Sequence, residues 1–203
     1  MSSHTLNYAI ALTGCIGSGK STVVSLLTLY GYDCVCADKI AHSVLVAQKS
    51  SVVEVFGEAI LNTQGEIERK KLGKIVFANA QKREMLESIL HSHIRDEIIR
   101  QAMELEKKQA WYFLDIPLFF EVGGKDVYPT KRSVVIYTPL EESLRRIMQR
   151  DQLSMAEAQA RLNAQMPIMQ KCALADDVID NSQDIKSLQR QVESYIQSLP
   201  KFH

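Results

Sequence analysis

The 203-residue chain is predicted to be α/β, with a mainly parallel five-stranded sheet flanked by helices, and three observations carry that prediction. Short, continuous apolar runs such as Trp111–Ile116 and Ser133–Tyr137 suit strands buried on both faces of a parallel sheet. They alternate with segments whose apolar residues recur at i, i+3, i+4 and i+7, the period of a helix. A glycine-rich turn then joins the first strand to the first helix, a junction that can bind an anion. With 46% hydrophobic and 24% charged residues, the chain can bury the core of one or two domains.

Taken in order, Tyr8–Thr13 is the first strand. From Ser21, residues Val23, Leu26, Leu27 and Tyr30 mark a helix that Gly31 ends. Cys34–Ala37 is a second short strand, and Lys39–Val46 a helix. Leu86, Leu90, Ile94, Ile98, Ala102 and Leu105 lie along one long helix from about Gln81 to Lys108. Trp111–Ile116 and Ser133–Tyr137 are the third and fourth strands. Thr138-Pro139-Leu140-Glu141 reads as a capping box with proline at the first helical position, and Ser154-Met155-Ala156-Glu157 as a second box. Asp177–Ile179 is a short fifth strand, and Ile185, Leu188, Val192, Tyr195 and Leu199 define the last helix.

Two stretches exceed what a simple strand–helix–strand crossover requires. Asp38–Lys108 is expected to be an all-helical insertion on the substrate side, and about Arg145–Ala175, poor in large apolar residues, a mobile lid.

Twenty-four lysines and arginines cancel twenty-four aspartates and glutamates, so no global field favours nucleic acid or an acidic membrane as partner. No segment approaches the roughly 20 apolar residues that span a bilayer, and the N-terminus lacks a basic n-region, which predicts a cytoplasmic protein. Cys15, Cys34, Cys36 and Cys172 are expected to be reduced thiols, with Cys34 and Cys36 buried in a strand in preference to clipping a metal. Cys15 is the one to watch, since a helix N-terminus can depress a thiol pKa.

Gly14-Cys15-Ile16-Gly17-Ser18-Gly19-Lys20-Ser21 fits G-x-x-x-x-G-K-[ST] in full, with a strand before and a helix after. Gly14, Gly17 and Gly19 let the backbone, together with Ser18, turn its N–H groups toward phosphate oxygens. Lys20 is placed to reach the β and γ phosphates of a nucleoside triphosphate, the Ser21 hydroxyl to ligate Mg²⁺, and Thr22 to lie near the α-phosphate. Neither Asn-Lys-x-Asp nor Asp-x-x-Gly occurs, which disfavours a guanine-nucleotide switch. Asp115, at the end of a buried strand, either orients Mg²⁺ through water or caps the loop that follows.

Asp38 follows the second strand, where ligand crevices open in such sheets. It either takes the proton of an attacking hydroxyl or serves as N-cap of the next helix. Arg146 and Arg150 share a helix face with each other. They suit transferring phosphate and adenine; surface pairing of Glu141 with Arg145 and Glu142 with Arg146 is the competing reading. His91 and His93, two apart on a helix, point to different faces and make a poor metal pair; solvated or hydrogen-bonded roles for these and His42 are expected.

These pieces together resemble the dephospho-coenzyme A kinases, among the P-loop kinases, along nearly the whole chain. The resemblance is carried by the phosphate loop, Ala37-Asp38-Lys39-Ile40-Ala41, Leu72-Gly73-Lys74-Ile75-Val76-Phe77, Asp115-Ile116-Pro117-Leu118-Phe119-Phe120-Glu121, Arg146-Ile147-Met148-Gln149-Arg150-Asp151, Arg161, Gln165, and Ala175-Asp176-Asp177-Val178-Ile179-Asp180-Asn181. It implies phosphoryl transfer from ATP, with Mg²⁺, to the ribose 3′-hydroxyl of dephospho-CoA. It also implies a nucleotide-binding core of residues 1–37, 109–144 and 176–203, a helical acceptor domain of residues 38–108 and a lid of residues 145–175. By the same resemblance Asp38 activates the acceptor, Arg69 and His91 lie on the acceptor side, Arg146 and Arg150 face ATP, and Asn181 borders adenine. The chain departs from the family pattern at Cys15, Cys36, His42 and Ser92. Other small-acceptor P-loop kinases, for nucleoside monophosphates or shikimate, and a non-enzymatic ATP-gated interaction protein are the alternatives.

Overall fold

β1 (Leu6–Gly14) lies at the centre of a five-stranded sheet in the computed structural model, which describes residues 5–201. The strand order is β2 (Cys34–Cys36), β3 (Tyr112–Asp115), β1, β4 (Thr130–Tyr137), β5 (Asp177–Asp180). β1 runs parallel to β3 and to β4, and β4 parallel to β5. Central placement explains the apolar run: Ala9–Leu12 are fully buried, as a strand covered on both faces requires.

The register of β1 on β4 shifts between Leu6 and Ile10. A carboxylate serves amides at this irregularity, where Asn7 N–H and Tyr8 N–H donate to Glu106 at 2.9 Å each. Tyr112 donates its hydroxyl to the same carboxylate, and burial, reinforced by Glu106, pushes the phenol pKa far up.

The chain divides into two compact units, residues 1–35 with 101–203, and residues 36–100. The first contains the sheet with α1 (Lys20–Leu29), α6 (Leu140–Asp151), α7 (Met155–Asn163), α8 (Ile168–Leu174) and α9 (Ile185–Ser198). One core joins Ile10, Leu12, Val23, Leu27, Phe113, Val134, Ile136, Leu188 and Val192. A smaller one gathers Cys15, Leu144, Ile147, Ala158 and Leu162 under the phosphate loop.

The second unit contains α2 (Ala37–Ala47), α3 (Lys49–Phe56), α4 (Arg69–Ala78) and most of α5 (Ala80–Glu106). It is not helical throughout. Gly57 ends α3 at φ +78°, and Asn62 closes a turn by accepting from the N–H groups of Gln64 and Glu66, with Leu61 and Ile67 bridged antiparallel. Asn62-Thr63-Gln64-Gly65 is a polar turn sequence whose Asx chemistry outcompetes the helix.

Three local expectations need correction. α2 starts at Ala37, so Cys36 is the N-cap and Asp38 lies inside the first turn. The Thr138 box does not form: Pro139 is the N-cap of α6 without a side-chain bond, because the Thr138 hydroxyl faces the carbonyl oxygens of Ser18 and Asn181. Cys34 and Cys36 are only half-buried, since Cys34–Cys36 forms the outermost strand of the sheet. The Ser154 box is present with both of its reciprocal bonds.

Candidate active site

The phosphate loop spans the gap between the end of β1 and the start of α1, and its shape follows from three glycines. A Cβ on Gly14 would lie 2.7 Å from Ser18 Oγ and 2.9 Å from the Ile136 carbonyl oxygen, so Gly14 is fixed by crowding. Gly17 and Gly19 both adopt φ +80°, a region costly for residues with a Cβ. Gly19 is the left-handed N-cap of α1.

Contacts from outside pin the loop. The Ser18 carbonyl accepts Asn181 Nδ2 at 2.8 Å and the Thr138 hydroxyl at 3.0 Å, and Ser18 Oγ is buried with no partner among the described residues. Thr138 and Asn181 follow the carboxyl ends of β4 and β5, which is how two distant strands reach one carbonyl. Holding that carbonyl outward favours presentation of the neighbouring amides to an anion.

Lys20 forms an ion pair with Asp115, which is only 5% exposed. Register places Asp115 opposite Leu12, at the same end of the sheet as the loop. Asp115 therefore turns to the loop lysine. Ser21 follows Lys20 in the first turn of α1 and is exposed; Thr22 is half-buried. Ser21 and Asp115 offer only oxygen donors, which suit a hard divalent cation that keeps water and phosphate ligands.

Along α6, Glu142 holds two guanidiniums. Arg146 Nε donates to it at 2.8 Å and Arg145 at 2.7 Å, and these bonds lower the Glu142 carboxyl pKa to about 2. The expected Glu141–Arg145 pair gives way to Glu142–Arg145, because Glu142 reaches both arginines at i+3 and i+4. Arg146 also donates to the Asn181 carbonyl at 3.3 Å, which brings Arg146, Asn181 and the loop together. Arg150 instead pairs with Asp151, which also binds Arg161.

The acceptor-side candidates belong to the unit of residues 36–100. Asp38 is exposed in the first turn of α2, Arg69 is the exposed first residue of α4, and His91 and His93 are exposed in mid-α5.

Cys15 departs from expectation. Burial pushes its thiol pKa up, with Lys171 opposing more weakly, and its Sγ lies 3.4 Å from the Met166 carbonyl oxygen. The desolvation of a loop residue packed on Leu144 and Ile147 outweighs the helix terminus.

Several contacts escaped the sequence. Thr138 carries a signal, but a capping motif masks it. Lys171, fully buried, pairs with Glu121 at 2.8 Å and donates to the Pro117 carbonyl at 3.1 Å. Nothing in Ile168–Leu174 distinguishes that lysine from a solvated one.

A sequence model described as CoaE, dephospho-CoA kinase, matches residues 8–187. The dephospho-CoA kinase of Helicobacter hepaticus is 58% identical over 195 residues, covering 96% of this chain and 94% of the relative. The solved dephospho-CoA kinase from Campylobacter jejuni is 37% identical, with a TM-score of 0.75 over 94% of this chain and 96% of its own. TT1252 from Thermus thermophilus is 33% identical, with a TM-score of 0.81 over 96% of this chain and 99% of its own. An intact phosphate loop with its lysine on a strand-end carboxylate, in a chain matched along almost all its length, places this protein in the dephospho-CoA kinase family.

Proposed function

We infer that the protein transfers the γ-phosphoryl group of ATP to the ribose 3′-hydroxyl of dephospho-CoA, yielding CoA and ADP in the last step of CoA synthesis. The family match over residues 8–187, around an intact phosphate loop, carries this reading. The bond from the γ-phosphorus to its bridging oxygen breaks, the bond to the 3′-oxygen forms, and the hydroxyl proton leaves to a base.

Such transfer depends on positioning and charge neutralisation more than on covalent chemistry. The amides of Gly14–Thr22 hold the phosphates, supported by the α1 N-terminus. Lys20 leaves Asp115 for the β and γ phosphates. Arg146 moves its charge from Glu142 to the transferring group, Arg150 adds a second guanidinium to ATP, and Asn181 borders the adenine. Asp38 takes the 3′-hydroxyl proton, with Arg69 and His91 on the acceptor. Residues 38–108 form the acceptor domain, residues 145–175 the lid, and the remainder the nucleotide core.

The family's use of ATP implies a divalent metal, and the oxygen donors of Ser21 and Asp115 fit Mg²⁺. When bound, Mg²⁺ would neutralise charge on the β and γ phosphates. Among the described residues no helix is long and apolar enough to cross a membrane.

The test is ADP release from ATP and Mg²⁺ with dephospho-CoA, AMP or shikimate offered in parallel, with mass spectrometry of the product. One added phosphate on dephospho-CoA alone is expected. ADP release with AMP or shikimate instead would overturn the acceptor, and none with any of the three would remove the kinase reading.

A further inference from the structure

The connection between α7 and α8 touches the phosphate loop at two successive residues. Gln165 Oε1 accepts the Ile16 N–H at 2.8 Å, and the next carbonyl, that of Met166, faces Cys15 Sγ. The Met166 N–H donates to Glu121 Oε1 at 3.0 Å. Glu121 is fixed by the buried ammonium of Lys171, which also reaches the Pro117 carbonyl, and that oxygen accepts the Thr13 hydroxyl at 2.9 Å. A closed chain of contacts thus runs from β1 through the loop after β3, up α8, across residues 165–166, and back to the loop tip.

We propose that Gln165 is a positioning residue for the nucleotide site: by accepting the Ile16 amide it holds the tip of the phosphate loop in its binding shape before ATP arrives. The buried Lys171–Glu121 pair sets the connector that carries Gln165. Ile16 immediately precedes Gly17, Ser18 and Gly19. The Ser18 carbonyl is held by Thr138 and Asn181, whereas among the described residues the one side-chain acceptor for the backbone N–H groups of residues 15–17 is Gln165. An amide cradle that needs no reorganisation binds more tightly than one that must be ordered by its ligand. The phosphates occupy that cradle before and during transfer, so its loss weakens ground state and transition state alike. It raises the ATP KM with little change in kcat.

The inference rests on the assignment of the loop as the ATP site, and the test separates the two. Gln165→Met keeps the side chain's length and removes the acceptor. Binding of ATP with Mg²⁺ is measured by calorimetry, alongside steady-state kinetics with dephospho-CoA and amide exchange at Ile16 by NMR in the nucleotide-free enzyme. The expected result is a fivefold to tenfold loss of ATP affinity, the factor made by about 1–1.4 kcal/mol of lost hydrogen bonding. Faster exchange at Ile16, a kcat within about threefold of wild type and an unchanged KM for dephospho-CoA should accompany it. ATP affinity within twofold of wild type, or a fall in kcat with affinity intact, would overturn the role of Gln165. Wild-type protein that binds no ATP would instead overturn the proposed function, and a lower thermal midpoint of Gln165→Met with normal ATP affinity would reduce Gln165 to a structural contact.

Discussion

If Lys20 serves ATP and Asp38 the acceptor, as proposed, their variants should fail differently. Lys20→Ala removes the charge proposed to reach the β and γ phosphates and should depress both ATP affinity and kcat. Asp38→Asn should leave ATP affinity nearly intact while kcat falls by about 10²–10⁴, the range of a lost general base. Near-normal kcat in Asp38→Asn would end its assignment as base. Arg146→Ala should lower kcat by roughly 10³ or more if its guanidinium screens the transferring charge. A change limited to thermal stability would return Arg146 to its pairing with Glu142. The loop residues were legible one by one, because a rare motif encodes them locally. Asn181 reaches the same carbonyl as Thr138 only through the fold, and the neighbours of Thr138 spell a helix start that its hydroxyl does not serve.

Among the elements, α6 and α7 make separable predictions. Ser154 caps α7 with both reciprocal bonds in place, so Ser154→Ala should cost about 1 kcal/mol, visible as a lower urea midpoint. In α6, Glu142 has a folded pKa near 2 against an ordinary 4.5, because Arg145 and Arg146 bond its charged form. A depressed carboxyl contributes fully above its unfolded pKa and loses that contribution as pH falls through the folded one. Wild type should therefore lose its margin over Glu142→Gln between about pH 4.5 and pH 2, and the margin should be small and sensitive to salt because the pair is near the surface. A margin that grows on acidification would contradict the assignment. Strand cores were plain in the sequence because burial on both faces leaves unbroken apolar runs. Ends were less so: β4 begins at Thr130, where Thr130-Lys131-Arg132 hides a strand behind two charges, one of which, Arg132, pairs with Asp177 of β5 at 2.8 Å.

For the molecule as a whole, the buried Lys171–Glu121 pair offers a stability test. Glu121→Ala strands an ammonium with no exposed surface and should cost about 3–5 kcal/mol, whereas Lys171→Met leaves a carboxylate that is one-fifth exposed and should cost less. Adding Lys171→Met to Glu121→Ala should restore part of the loss; a double variant no more stable than Glu121→Ala would show that the unpaired charge is not the cause. This pair illustrates what patterns along a chain do not reveal, since Lys171 and Glu121 are fifty residues apart and each looks solvated in its own neighbourhood. The central strand has a further consequence. β1 is made well before both of its neighbours, β3 and β4, which begin at Tyr112 and Thr130. At about 5–20 residues per second of synthesis, the apolar run Ala9–Leu12 waits roughly 5–20 s for either flank to exist. Pairing across such separations also makes the sheet slow to close once synthesis is done. The strand that ends in the phosphate loop is thus the one longest exposed to wrong partners in a newly made chain, and a ribosome-bound fragment ending before Tyr112 should be the species most prone to aggregate.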